Sequence, residues 1–404
     1  MKLIFVNRYF DPDRSATSQV LSDLAFHLAT RDHDVHVVAS RQLYDDPGAI
    51  LPATETIRGV SVHRVPTSRF GRKSLAGRTI DYASFHASAA ARLVRLARPN
   101  DIIIAKTDPP LVSVTAAGAA RIRGARLVNW VQDLFPEVAE RLGVLTQDGA
   151  GAGALRRVRD IALRQASTNV AIGTGMARRL ENVGSGKVRT IGNWTNDDAV
   201  RPVPAAQNRL RRDWDLEGRF IVGYSGNLGR AHECETLLGA AERLRGQSDI
   251  VFLFVGGGHH TAALKAAFAA RKLASLRVRP YQPHAGLGTV LALPDVHWVS
   301  LRPELEGLIV PSKFYGICAA GRPVIMVGDT EGEIGSIVED AGCGMAVARG
   351  DDAGFASAIL RLRNDGALRD AMGGRARRLL DDRFSRSNAL RLWQDLIGEL
   401  SPPS

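Results

Sequence analysis

The sequence predicts an α/β protein built as two doubly wound domains facing each other across a cleft. Three observations carry that expectation. Short apolar runs, turns and amphipathic helical stretches alternate along the chain, which is the rhythm of parallel βαβ units. Runs such as Ile102, Ile103 and Ile104 are apolar at every position, as strands covered on both faces are. The 404 residues exceed what one core usually serves, and a stretch rich in Asn, Asp and Pro at 193–208 interrupts the rhythm near the middle. That stretch is read as the linker. The expected domains are 1–195 and 196–385, with a terminal segment 386–404 whose helix can pack back on either.

In order, residues 3–6 read as a buried strand, 17–29 as a helix and 35–39 as a strand. After an excursion around 60–65 come a helix at 82–96, a strand at 102–105 and a helix at 112–122. A strand at 127–131, a helix at 155–166 and a strand at 169–172 complete the first series. The second restarts with a strand at 220–224, a helix at 235–244 and a strand at 251–255. Strands at 299–301 and 324–327 follow, and a helix at 388–400 lies beyond the last of them.

Composition excludes several classes. Hydrophobic residues make up 45% and charged residues 24%, so the chain is neither disordered nor collagenous. Three cysteines, Cys234, Cys318 and Cys343, cannot frame a disulfide scaffold, which points to a reducing cytosol. The first apolar run is too short for a signal peptide, and no run of about 18 apolar residues spans a membrane. The net charge of +11 is uneven. Residues 1–195 hold 4 Lys and 23 Arg against 17 acids, a net of +10, which leaves +1 for the remainder. A basic half suits polyanions, among them anionic lipid headgroups and diphosphates. The basic residues include Arg69, Arg72, Lys73 and Arg78, with Phe70 and Leu75 as shallow anchors, and then Arg156, Arg157, Arg159 and Arg164. For the second group a solvated helix face is the competing reading. No helix-turn-helix, zinc pattern or stacking platform accompanies the charge, so nucleic acid is not expected.

Three stretches carry chemistry. Ser225-Gly226-Asn227-Leu228-Gly229-Arg230 follows a strand and precedes a helix, where glycines admit a ligand to the backbone and free amides meet phosphate. Arg230, with His232 close behind, adds cationic hydrogen bonds; an ordinary αβ turn is the equal alternative. Gly256-Gly257-Gly258 ends the next strand, for close approach of a planar ligand or a second domain, or as a flexible loop. Residues 304–316 couple Glu304, Glu306, Gly307 and Lys313: carboxylates suit sugar hydroxyls and a lysine suits a diphosphate. Asp133, just past a strand end, is read either as an acceptor-orienting or proton-accepting group or as the cap of a short helix begun by Pro136.

Together with residues 9–12, Trp130 through Glu137 and residues 299–303, these motifs resemble the GT-B retaining glycosyltransferases of group 1, in the bacterial cell-surface polysaccharide branch. The resemblance covers essentially the whole chain. It implies transfer of a sugar from a nucleotide diphosphate sugar, UDP favoured over GDP, to a hydroxyl acceptor, with no metal or other cofactor. The implied acceptor is a lipid-linked saccharide at the cytoplasmic face of an anionic membrane. Donor contacts would come from Gly226, Asn227, Gly229, Arg230, Gly256, Tyr281, Gln282, Glu306, Gly307, Leu308, Ile309 and Lys313. Arg14, Ser15, Ala16, Thr17, Trp130 and Asp133 would face the acceptor, and Glu306, Arg230, Lys313 and Asp133 would be catalytic.

Two departures stand out. The second glutamate of the family pair is replaced by Gly316, with Glu333 as a substitute elsewhere, and the glycine pair of the first loop is replaced by residues 15–18. The lost glutamate motivates an alternative, an inactive nucleotide-sugar-binding homologue or scaffold. A sugar-nucleotide 2-epimerase of the same fold is the remaining one.

Overall fold

The computed structural model describes residues 1–46, 48–71, 74–184 and 186–401. The chain divides into two compact units, one of Met1–Gly192 with Leu390–Ser404 and one of Asn193–Ala389.

In the first unit the strands are β1 (Lys2–Val6), β2 (Asp34–Ser40), β3 (Thr54–Ile57), β4 (Val60–Val65), β5 (Ile102–Lys106), β6 (Arg126–Val131), β7 (Thr168–Ala171) and β8 (Val188–Thr190). Their order is β3-β4-β2-β1-β5-β6-β7-β8, parallel except for the β3–β4 hairpin. Residues 3–6 of β1 pair with 35–38 on one side and 102–105 on the other, which is why 3–6 and 102–105 are apolar throughout and 35–38 is interrupted only by His36. The chain winds outward in both directions from β1, making a switch point beside β5 whose strand carboxyl ends form a natural ligand crevice.

The second unit contains β9 (Phe220–Asn227), β10 (Ile250–Gly257), β11 (Leu276–Arg279), β12 (Val296–Ser300), β13 (Val324–Gly328) and β14 (Gly344–Ala348). All are parallel in the order β11-β10-β9-β12-β13-β14, with the switch point between β9 and β12. Near the carboxyl ends of these strands Tyr224, Phe254 and Trp298 pack with ring centroids 5.1–5.7 Å apart. That apolar floor lies in the main core of the unit.

Several boundaries differ from the sequence expectation. The helix Leu75–Leu96 starts seven residues early because Ser74 Oγ accepts the Gly77 N–H and caps it. The helix Ala150–Gln165 likewise begins earlier, in small residues with no apolar period. The short strands β3, β8 and β11 lack an apolar run and are not expected from the sequence, and neither is β14, whose run Gly-Met-Ala-Val-Ala is made mostly of small residues. Residues 193–208 do not behave as a loose linker. Trp194 and Val200 are buried, and Arg377 and Arg322 donate to the carbonyls of Val200 and Val203. The terminal helix Arg386–Leu400 brings Trp393 onto Trp130, centroids 4.7 Å apart, while Arg126 donates to the Leu400 carbonyl and Arg189 pairs with Glu399. Residues 390–401 therefore belong to the first unit.

Candidate functional site

In the second unit the carboxyl ends of β9 and β10 stay in register, Gly226 opposite Gly256 and Asn227 opposite Gly257. Gly226, Gly256 and Gly258 have φ of 121°, 137° and 132°, a region that L side chains rarely enter. A Cβ on Gly256 would lie 2.4 Å from the Gly226 carbonyl oxygen, and one on Gly258 would lie 2.4 Å from Asn227 Oδ1. The two loops then close on each other, Leu228 N–H donating to the Gly257 carbonyl and His260 N–H to the Leu228 carbonyl. The Gly-Gly-Gly stretch is thus a rigid interlock of two loops. Tyr281 joins its edge: a Cβ on Gly257 would be 3.3 Å from the Tyr281 ring. Gln282 turns its amide back onto the Pro280 carbonyl.

Gly226 also makes room for Lys313, since a Cβ there would sit 3.0 Å from Lys313 Cε. Lys313 opens the helix Lys313–Ala319. Its Nζ lies 3.4 Å from His232 Nε2 and 5.1 Å from the Tyr224 ring centroid. His232 donates from Nδ1 to the Ser300 carbonyl at 2.7 Å, which leaves the Nε2 lone pair facing the ammonium. Burial, then the charge of Lys313, holds His232 at about 3, so the ring is neutral at pH 7. Burial lowers Lys313 to about 8, so it remains an ammonium. It has no carboxylate partner among the described residues. Arg230 is exposed, unpaired among the described residues, and near enough to contribute to the lowering of His260. Tyr224, which the sequence reading missed, supports the site by its ring and by donating its hydroxyl to the Asn227 carbonyl at 2.8 Å.

The stretch 304–316 is arranged less simply. Glu306 accepts the Glu333 N–H at 3.2 Å, capping from afar the helix Glu333–Asp340, whose own cap position is Gly332. The Glu306 carboxylate thereby meets the backbone of a residue 27 positions later. Leu308 and Ile309 both donate their amides to the Leu305 carbonyl. Those two amides, expected to face phosphate, are used inside the turn around Gly307. Gly316 is buried, and a Cβ there would already lie 3.1 Å from Leu291. A glutamate has no room at that position. Gly316→Glu should therefore lower stability by more than about 3 kcal/mol without improving nucleotide affinity, because it overpacks the site and buries a carboxylate. Urea unfolding checks the first expectation and calorimetry the second.

In the first unit Arg14 and Ala16 are exposed, with Ser15 and Thr17 half-buried, at the start of the helix Ala16–Ala29. Asp13 fixes this turn by accepting from the Ser15 amide and hydroxyl and from the Tyr44 amide. Asp133 lies beyond β6. It does not cap the helix Glu137–Arg141, and it makes no hydrogen bond among the described residues. Trp130, expected to touch the acceptor, is instead sealed in the core with 1% exposure. Its ring lies between Trp393 and a buried Lys106 that no motif had flagged. The signal for Lys106 was a lone lysine closing the otherwise apolar run 102–106.

Of the two basic groups, Arg156 pairs with Glu140 and Asp148, and Arg159, which is buried and not on a solvated face, pairs with Glu137 and Asp160. Arg69 and Phe70 are exposed on a loop held by Asp81, which accepts from Ser68 Oγ and the amides of Phe70 and Gly71. Arg72 and Lys73 lie outside the described residues. Cys318 and Cys343 are buried with thiols pushed upward, so they are core. Among the described residues no helix is long and apolar enough to cross a membrane.

Two doubly wound sheets, each with its loops gathered at a switch point, set the context for the comparisons with known proteins. Residues 15–194 match the glycosyl transferase 4-like domain and residues 219–365 match glycosyl transferases group 1. The chain belongs to the group 1 glycosyltransferases. It is 26% identical to the probable glycosyltransferase WbjE of Pseudomonas aeruginosa, over 89% of this chain and 88% of that one. It is 25% identical to the putative colanic acid biosynthesis glycosyl transferase WcaI of Escherichia coli K12, over 84% and 86%. Among solved structures it resembles Anabaena HepE in complex with UDP, with a TM-score of 0.74 at 14% identity over 99% and 100% of the two chains. The fold is GT-B.

Proposed function

We propose that this glycosyltransferase moves a sugar from a nucleoside diphosphate sugar, UDP favoured over GDP, to an acceptor hydroxyl, with retention and without a metal ion. The observation that carries the reading is Lys313, an ammonium at the strand ends whose neighbours are a neutral imidazole and a ring face. A cation held without a carboxylate suits an anion, and a diphosphate supplies one. Arg230 adds a second, exposed cation for the leaving group. Glu306, whose carboxylate accepts the Glu333 N–H, and Glu333 itself would offer carboxylates for sugar and ribose hydroxyls, the second standing in for the glutamate that Gly316 excludes. The departing diphosphate takes the acceptor's proton on the face it leaves. HepE, of the same fold, was solved with UDP, which favours that nucleotide.

The acceptor in this reading is a lipid-linked saccharide of a polysaccharide under assembly, approached from the cytoplasmic membrane face. WcaI, named for colanic acid biosynthesis, supports the first part. Phe70, Leu75 and Ile80, exposed at 64%, 57% and 49% beside Arg69 and Arg78, support the second as an apolar and basic surface for anionic lipid.

Calorimetric titration with UDP and GDP, metal-free and again with Mg²⁺, tests the donor half. Tight binding of one nucleotide, indifferent to metal, is expected; binding without turnover of any donor would leave an inactive sugar-nucleotide-binding relative. A pH series sharpens the assignment. The diphosphate needs the ammonium, and the free protein loses that proton near pH 8. Affinity should be flat below about pH 7 and fall by about tenfold per unit above about pH 8, one proton being linked to binding. Affinity that holds level to pH 10 would remove Lys313 from the phosphate site.

A further inference from the structure

Lys106 has no part in the donor site. It closes β5 with 1% of its surface exposed, and its Nζ makes no hydrogen bond among the described residues. The Nζ sits 3.6 Å from the centroid of Trp130, the residue opposite it on β6. A cation–π contact offsets only part of the cost of burying an ammonium. Burial holds the amine well below the ordinary lysine range, and the charge it answers to is Asp133.

Asp133 is the complement. The protein around it pushes its carboxyl up to about 6, and Lys106 pulls it back down. Asp133 as a residue is exposed. Both residues line a cavity of about 40 Å³ at the carboxyl ends of β5 and β6, together with Thr107, Ser113 and Asn129. At about 10–15 Å³ for each water-sized centre, it takes about three or four such groups. Asn129 Oδ1 is also buried without a hydrogen bond among the described residues. The remaining charge on the wall, Arg159, is engaged by Glu137 and Asp160. Val112 and Ser113 bring no charge from the helix Val112–Arg123. On the terminal helix that supplies Trp393, Arg391 pairs with Asp395, and both are exposed.

We propose that Lys106 is a positioning residue of the acceptor side: the cavity it shares with Asp133 takes an acceptor hydroxyl, and the amine keeps Asp133 the carboxylate that receives that hydroxyl's hydrogen bond. This rests on the transfer reading above. In the reaction the acceptor oxygen forms the new bond to the anomeric carbon and the bond from that carbon to the diphosphate oxygen breaks. The electron pair leaves with the diphosphate, and the hydroxyl proton, oriented by Asp133, ends on the diphosphate.

The test is the titration of the Asp133 carboxyl carbon by NMR in the full chain, the signal being identified by its loss in Asp133→Asn. The kcat/KM for transfer is followed over the same pH range. Lys106→Met, close in volume and able to cover Trp130, should move the Asp133 midpoint upward by about one unit or more, as loss of a nearby opposite charge does. A raised carboxyl is lost to protonation at higher pH, so the acid limb of kcat/KM should move up with it. Lys106→Arg should restore both, and nucleotide affinity should not change in either variant. Asp133→Asn, altered at an exposed position and therefore folded, should lose the acid limb and most of the transfer. An unmoved midpoint in Lys106→Met, a limb that stays while the midpoint moves, or full transfer by Asp133→Asn would each overturn the proposal. A wild-type chain that binds nucleotide but transfers nothing would sink the transferase reading, and this one with it.

Discussion

Lys313→Met is expected to lower nucleotide affinity by about 10- to 100-fold, the cost of losing one hydrogen bond to a charged group, and kcat by about 10²- to 10³-fold. The second figure is the larger because charge on the leaving diphosphate grows as the bond to the sugar breaks, so an ammonium beside it contributes most in the transition state. Methionine preserves the packing on Tyr224 and beside Gly226, so unfolding by urea should change little. Arginine should not rescue. A Cβ on Gly226 would stand only 3.0 Å from Lys313 Cε, so this corner holds a thin alkyl chain and not a planar fork. The variant carries an internal check at His232. Its ring is held at about 3 partly by the charge of Lys313, so its titration, followed by NMR, should rise when that charge is gone. Unchanged affinity in a variant whose His232 midpoint has moved would show a lysine in place but not on the phosphate.

How much of this was legible in the sequence depends on whether the information was local. Strands buried on both faces announce themselves by composition, so residues 3–6, 102–105 and 324–327 were readable, and with them the doubly wound order. Edge strands such as β11, whose run Leu-Arg-Val-Arg is broken by an exposed Arg277 and a half-buried Arg279, carry no such signal. Lys313 was legible as a phosphate ligand by its type and its place at a helix start. Its pairing with His232, 81 residues earlier, was not, because it exists only once β9 and β12 are neighbours. Trp130 and Asp133 lie in one motif and were read alike. Strand geometry separates them: Trp130 belongs to β6 and points into the core, while Asp133 lies past its end and stays in contact with water. The missing glutamate was visible as a gap at Gly316. That Leu291 fills the space, and that the Glu306 carboxylate accepts the Glu333 N–H, was not.

Gly256→Ala is expected to destabilise the second unit by more than about 3 kcal/mol and to weaken nucleotide binding in the same variant. The backbone at Gly256 has φ of 137°, where a side chain costs about 1–3 kcal/mol by itself. The added methyl would also meet the Gly226 carbonyl oxygen at 2.4 Å, its carbon at 3.0 Å and its amide nitrogen at 3.2 Å. All three are backbone atoms in a register pair of β9 and β10, so no rotamer change relieves the contact. The strands must separate or the Gly226 turn must shift, and that turn is the wall against which Lys313 rests. Stability and binding should therefore fall together. Gly246→Ala is the control, since a methyl there meets nothing within 4 Å. Urea unfolding resolved into the transitions of the two units, with UDP affinity measured at low urea, separates the cases. If Gly256→Ala unfolds with Gly246→Ala and binds equally well, the two glycine loops do not interlock, and the rigidity assigned to the donor site must come from elsewhere in the sheet.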